Sequence, residues 1–383
     1  MRSPRKIAIA LVALVATTLV ALVVVPFLFR DRIASRLKAE IGRSVAARVN
    51  WSGVGLNALS DFPNLSLGLD RVSVVGVKPF EGDTLVSARH VGLVLDLGSV
   101  VRYLRSGDRI VVREIELAQP RVKLRVLADG AANWDIVRST EPSSAGGSSR
   151  AVGVTLRRLR ISDGALSLDD RKSGLAASLT GLEETLQGDF AQERLTVASH
   201  TRADSVSLRF GGIPYLSRVA LELNTDVAAD LRAHRFTFRN DSLRLNNLVL
   251  AFSGSVATGA PNVALDVAFS APSTAFRDIL SLVPAVYARD FARIQTSGRM
   301  TVAGKVRGEY GPTAFPALAL RARVDGGAFR YPDLPLPARD ISAELAIDNP
   351  GGSVDSTIVD LKRFHAVIGR RPVDATLVVR TPV

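Results

Sequence analysis

Over most of its length this sequence changes polarity at every second residue. Leu221, Leu223, Thr225 and Val227 alternate with Glu222, Asn224 and Asp226. Val263, Leu265, Val267 and Phe269 alternate with Ala264, Asp266 and Ser270, and the same pattern runs through 318–324 and 341–347. Successive side chains leave a strand on opposite sides, so a period of two describes strands with one oily face and one wet face. A helical body is excluded, because its apolar positions would recur every three or four residues. Turn signals punctuate the strands at Asp129-Gly130, Asp163-Gly164, Asp325-Gly326-Gly327 and Asn349-Pro350-Gly351-Gly352. The expected fold is mainly β, a long meander of antiparallel strands. Two short helices interrupt it: Val100 to Arg105, and Ala275 to Phe291, where Phe276, Ile279, Leu280 and Val283 share a face and Pro284 breaks the run.

A small, polar stretch from Ser139 to Arg150 reads as a linker. It divides a first β-unit (50–138) from a second (152–383), with 139–151 between them. A weak repeat crosses the linker. Val112-Arg113-Glu114-Ile115-Glu116-Leu117 leads into Arg121-Val122-Lys123-Leu124-Arg125-Val126. Leu156-Arg157-Arg158-Leu159-Arg160-Ile161 leads into Ala165-Leu166-Ser167-Leu168-Asp169-Asp170. Each reads as a strand, a short turn and a returning strand, and repetition of such a unit points to elongated growth.

The N-terminus constrains where this β body works. Residues 1–6 carry Arg2, Arg5 and Lys6. The run from Ile7 to Phe29 is apolar throughout and long enough to cross a bilayer core of about 30 Å as a helix. It ends in bulky and charged residues rather than a small-residue cleavage site, which reads as an uncleaved anchor. Residues 30–49 follow as an amphipathic helix. Ile33, Leu37, Ile41 and Val45 form one stripe, with Arg32, Arg36, Lys38 and Arg43 beside it as candidates for contact with anionic headgroups. A helix of this kind also suits packing on the protein body. The positive charges flank the span on both sides, so they do not by themselves orient it.

The 383-residue chain has a formal net charge of +12. That balance favours anionic partners, but the arginines are scattered along strands and are not interleaved with aromatics, which argues against nucleic acid. The absence of cysteine excludes disulfides, thiolate metal sites and cysteine nucleophiles. Catalytic constellations are missing too. His90, His200, His234 and His365 are far apart in the sequence, and no phosphate loop or serine elbow is present. Asp169-Asp170 reads as the turn ending a strand, since adjacent strand residues face opposite ways. Asp61-Phe62-Pro63-Asn64 reads as a turn leading into the first strand, with Phe62 packed inward. No enzymatic activity and no cofactor is expected.

The span followed by Asp61-Phe62-Pro63-Asn64-Leu65-Ser66-Leu67, then Leu97-Gly98-Ser99-Val100-Val101-Arg102-Tyr103-Leu104, and then Pro120 with Asp129-Gly130-Ala131-Ala132-Asn133-Trp134-Asp135, resembles the AsmA family of Gram-negative envelope proteins. Leu166-Ser167-Leu168-Asp169-Asp170-Arg171, Asn246-Asn247-Leu248, Leu280-Ser281-Leu282-Val283-Pro284 and Tyr331-Pro332-Asp333-Leu334-Pro335 extend the likeness over nearly the whole chain. The resemblance implies a single inner-membrane anchor with the body in the periplasm. It implies a curled β-sheet whose apolar concave face forms a groove, and a role in outer-membrane biogenesis as a carrier of phospholipid between membranes. It brings no catalytic residues. Relatives of this type are usually longer, so the chain reads as a truncated form.

A single amphipathic layer would expose an apolar face, and such a face calls for a ligand or a partner. The alternating strands nominate Leu221, Leu223, Val263, Leu265, Val267, Leu318 and Leu320 as its lining. The expected partners are the inner membrane and its phospholipids, together with other envelope proteins. The rival expectation is a membrane-tethered scaffold that assists outer-membrane protein assembly through its sheet edges, with the apolar face closed by a second layer.

Overall fold

Alternating sequences of this kind fold as strands that each need a neighbour, and the computed structural model is mainly β. It describes residues 45–57, 61–106, 110–136, 153–258, 262–275, 278, 295–311, 314–330 and 336–381. The expected span 7–29, the basic positions Arg32, Arg36, Lys38 and Arg43, and nearly all of the expected 275–291 helix lie outside the described residues. Among the described residues no helix is long and apolar enough to cross a membrane. The chain forms two compact units, one through Ser173 and one from Gly174.

In the first unit, β1 (Ala47–Asn50) and β2 (Gly53–Asn57) both pair antiparallel with β3 (Asn64–Gly76). The helix expected over 30–49 therefore does not reach 49, because its last three residues lie in β1. β4 (Thr84–Asp96) covers the other side of β3. Helix α1 (Leu97–Ser106) follows, close to the expected position. β5 (Val111–Ala118) and β6 (Arg121–Val126) then run along β4.

β7 (Gly153–Asp170) pairs in parallel with both β5 and β6, contrary to the expected all-antiparallel meander. This pairing gives the sequence repeat its meaning. Glu114 lies opposite Arg158, Leu117 opposite Ile161 and Arg121 opposite Ala165. The repeat interval of 44 residues is the register of the parallel ladder. The expected turns at 119–120 and 163–164 are not turns. They are facing kinks in strands that continue in the same direction, with Gln119 at φ 52 and Asp163 at φ 44. The Gln119 N–H donates to the Ser162 carbonyl (2.8 Å) and the Ala165 N–H to the Pro120 carbonyl (2.8 Å). The Gln119 amide donates to the Asp163 carboxylate at 3.0 Å. A parallel neighbour cannot be reached by a tight turn and needs a long crossover. The first compact unit closes at Ser173, and the expected linker at 139–151 lies outside the described residues.

Alternation places Leu56, Leu67, Leu93, Ile115 and Leu159 opposite one another on one face of this sheet. Leu65, Leu67, Leu69, Leu95 and Val112 are buried there with Val100 of α1. Asp96 sets the start of α1, accepting the Ser99 N–H (2.7 Å) and an Arg113 N–H (2.5 Å). The Ser99 hydroxyl donates to the Asp96 carbonyl and accepts the Val111 N–H at 3.0 Å, tying the helix to β5. The Arg113 bond, then the Ser99 N–H, hold the Asp96 carboxyl below its ordinary range against the opposing effect of burial. A depressed carboxyl stabilises the fold above its unfolded pKa of about 4 and loses that effect as pH falls through its folded value. Asp96→Ala is expected to destabilise the first unit by about 2 kcal/mol near neutral pH, through the lost cap and the half-buried Arg113 left without it. Urea titration should show the gap from wild type narrowing at a pH well below the unfolded value of about 4. A gap unchanged at that pH would refute the carboxylate's role.

The second unit is the expected antiparallel meander. β8 (Leu175–Gln187), β9 (Arg194–Phe210), β10 (Ile213–Asp230), β11 (Arg235–Leu245), β12 (Leu248–Ala257) and β13 (Val263–Ala275) each pair with the next. β14 (Gln295–Tyr310), β15 (Ala317–Arg330), β16 (Ala338–Asn349), β17 (Ile358–Ile368) and β18 (Arg371–Arg380) continue the series. Asn349 makes the turn expected at 349–352: its side chain is 3% exposed, donates to the Ser353 carbonyl and accepts the Gly351 N–H. The turn expected at 325–327 is a bulge within β15, where pairing to β16 shifts between Val324 and Gly327.

Candidate functional site

Directly paired residues of neighbouring strands point to the same side of a sheet. The cross-strand ladders therefore show which side chains of the second unit share a face. Leu223 lies opposite Leu243, which lies opposite Leu250, and Leu221 lies opposite Leu245. Two residues along β12, Phe252 lies opposite Phe269. Two residues along β13, Val267 lies opposite Val306, which lies opposite Leu318. Leu265 and Val263 continue the row on β13. Leu320 lies opposite Ile347, and Ile347 opposite Val359. All of the lining positions expected from sequence, Leu221, Leu223, Val263, Leu265, Val267, Leu318 and Leu320, thus stand on one face, and each is half-buried.

Aromatic rings occupy the middle of that face. The Phe238 and Phe252 rings meet with centroids 5.6 Å apart. Phe269 lies across Gly304, where a Cβ would fall 2.3 Å from the ring. Towards the last strand, Val324, Ile341 and Ala366 are buried with Met300, Phe329 and Phe364 around them. No described element lies over the face, since each strand of this unit packs extensively only with its sheet neighbours. Its burial is lateral, from one side chain to the next. At two margins it is open: Tyr310 beside Val263 is 57% exposed and Leu377 beside Leu361 is 56% exposed.

The opposite face is a lattice of ion pairs. Asp266 meets Lys305 at 3.0 Å and Arg307 at 3.8 Å, Asp348 meets Arg321 at 2.8 Å, and Glu222 meets Arg244 at 3.5 Å. Such pairs on a wet surface contribute little each, but they fix which face meets water.

Polar side chains interrupt the apolar face at several places: Asp241, opposite Phe252, accepts the Asp226 and Arg239 N–H groups, Asn349 stands opposite Leu318, and Glu184 stands on β8. Glu184 lies opposite Thr201, which lies opposite Leu223. The Ser199 hydroxyl donates to one carboxylate oxygen of Glu184 at 2.9 Å and the Thr201 hydroxyl to the other. The alternation argument overlooked this residue. The signal was the doublet Glu183-Glu184, because two adjacent acids on a strand must put one on each face.

The remaining polar candidates resolve into local structure. His90 lies opposite Asp70 and His365 opposite Asp374, each joined through Nδ1 at 2.7 Å. His200 bonds its opposite number Asn224. The His90 ring rests over Gly68, where a Cβ would fall 2.8 Å from the ring, so glycine is what admits it. Asp170 accepts the Lys172 and Ser173 N–H groups and the Ser173 hydroxyl, forming the expected turn at a strand end. Among the described residues no group of three His, Cys, Asp or Glu is placed to hold a metal ion.

Phe62 corrects one expectation. The 61–63 turn does lead into β3, closed by the Asn64 N–H on the Asp61 carbonyl at 2.7 Å. Phe62, however, points outward and is 63% exposed, because the buried series of β3 begins only at Leu65. Asn133 shows what its motif does. Its side chain accepts the Arg125 N–H (2.9 Å) and donates to the Lys123 carbonyl (2.7 Å), acting as a substitute strand beside β6 and leaving Trp134 39% exposed.

No family model matches this chain, and no curated protein is significantly similar to it.

Proposed function

We propose that this chain is an AsmA-like envelope protein, anchored in the inner membrane through residues 7–29 with its body in the periplasm. It holds or transfers phospholipid as part of outer-membrane biogenesis, and its second unit receives the acyl chains. The observation that carries this reading is the open apolar face of β8–β18, which no described second layer covers and which is backed by an ion-paired wet face. Acyl chains gain about 0.8 kcal/mol per buried methylene. Aliphatic walls supply that gain without directional demands, so a bound chain can slide along them. The test is purification of the full chain in mild detergent, exchange into a lipid-free detergent, and mass-spectrometric extraction of what stays bound. Retained phospholipid at about one or more per chain is expected. A folded chain stripped clean of lipid refutes the reading.

One observation favours a second reading, a tethered scaffold for outer-membrane proteins. β18 pairs with β17 and exposes Val373, Leu377 and Val378. An exposed apolar strand of that kind is a candidate surface for an added strand. Capture of an unfolded outer-membrane strand at β18 by a lipid-free chain would favour it.

A further inference from the structure

We propose that Glu184, braced by Ser199 and Thr201, is a station for a protonated amine, so that the apolar face selects amphiphiles whose headgroup carries ammonium N–H donors. The inference rests on the lipid-holding reading of that face.

The argument is one of placement and partners. A carboxylate on a half-buried apolar face is unfavourable unless something answers its charge. On the wet face of the same unit the fold answers carboxylates with arginine or lysine, as at Asp266, Asp348 and Glu222. Glu184 has no such partner among the described residues and is answered by two neutral hydroxyls. Each hydroxyl occupies one carboxylate oxygen. A carboxylate offers about four acceptor sites, so acceptor capacity remains on both oxygens. The hydroxyls hold the carboxylate in one orientation, which makes the group a fixed acceptor for a cation. A phosphate or carboxylate headgroup would be repelled, whereas an ammonium supplies charge and three donors.

The surroundings suit an amphiphile better than a free amine. Leu223 stands next in the row beyond Thr201, and Leu186 lies two residues along β8 on the same side. A headgroup held at Glu184 therefore leaves its acyl chains on aliphatic ground that continues through Leu243 and Leu250.

The test uses the full chain in detergent, equilibrated with mixed micelles containing equal amounts of phosphatidylethanolamine and phosphatidylglycerol, then washed and extracted. Wild type is compared with Glu184→Gln, with Glu184→Asp, and with a Leu223→Asp/Leu265→Asp variant that reports lipid held elsewhere. The lipid held by wild type in excess of the double variant should favour the ethanolamine lipid roughly two- to five-fold, the range for a partly exposed charge pair. Glu184→Gln should bind the same total with no preference, and Glu184→Asp should keep the preference. On the unaltered protein, phosphatidylcholine, which has no N–H donor, should compete less well than the ethanolamine lipid. That comparison decides the matter even where Glu184→Gln does not fold. A wild type without preference, a Glu184→Gln that keeps it, or phosphatidylcholine binding equal to the ethanolamine lipid overturns the station and leaves the lipid-holding reading standing. A wild type that carries no more lipid than the double variant overturns that reading instead.

Discussion

Gly254→Ala is expected to destabilise the second unit by about 3 kcal/mol or more and to open the sheet locally from β11 to β13. Gly254 sits inside β12 at φ 139, opposite Val267 on β13 and Phe238 on β11. A Cβ there would fall 2.0 Å from the Asp266 carbonyl oxygen and 2.7 Å from the Val267 Cα. Both obstacles are backbone atoms of the adjacent strand, so no side chain can rotate away. The methyl group can be admitted only by separating β12 from β13, which breaks ladder hydrogen bonds on either side. A meander of one layer has no packing behind it to absorb that separation. Amide exchange should therefore show protection lost across β11, β12 and β13, with β16–β18 nearly unchanged. Gly326→Ala is the control. Its φ of 61 also favours glycine, but a Cβ there meets nothing within 4 Å, so only about 1 kcal/mol of backbone strain is expected. Equal stability of Gly254→Ala and wild type in urea would refute the account.

Strands and faces were legible in the sequence because they depend on nearest neighbours. A period of two states that Leu221 and Leu223 share a side before any partner strand is known. What could not be read was which strand stands beside which. Asp129-Gly130 and Asp163-Gly164 look alike in sequence. The first turns the chain, with the Gly130 N–H on the Leu127 carbonyl at 2.9 Å. The second only kinks it, because β5 and β6 run alongside and keep β7 straight. Asp325-Gly326-Gly327 failed for the same reason, with β14 and β16 flanking β15 on both sides. The internal repeat was detected but misread, since two copies of a unit can lie in parallel register instead of following each other outward. Phe62 was misjudged from its hydrophobicity, when what decides its exposure is that the buried series starts three residues later. Glu184 was visible only as a breach of alternation, and a breach has meaning only once the partner rows at Thr201 and Leu223 are known.

Leu223→Asp/Leu265→Asp is expected to leave the sheet folded and to abolish most lipid retention. The two halves of that expectation come from the same geometry. Both leucines are half-buried by lateral neighbours, with no described layer above them. An aspartate at either position can reach solvent in the lipid-free chain, so the loss is well below the 3 kcal/mol or more typical of a charge placed in a closed core. With an acyl chain in place the balance reverses. A chain kept off the face over about four methylenes forgoes about 3 kcal/mol, roughly a hundred-fold in affinity, and each carboxylate would also have to be desolvated. The two sites lie on strands β10 and β13, so one lipid chain cannot avoid both by sliding a short way. The scaffold reading predicts the reverse pairing of results. If a second layer closed the face, the same aspartates would sit in a core and the unit would unfold, while bound lipid would be absent from wild type as well. Circular dichroism and urea titration of the double variant, read beside its extracted lipid, separate the two. A folded variant that has lost its lipid supports an open lipid-bearing face, and an unfolded variant from a lipid-free parent refutes it.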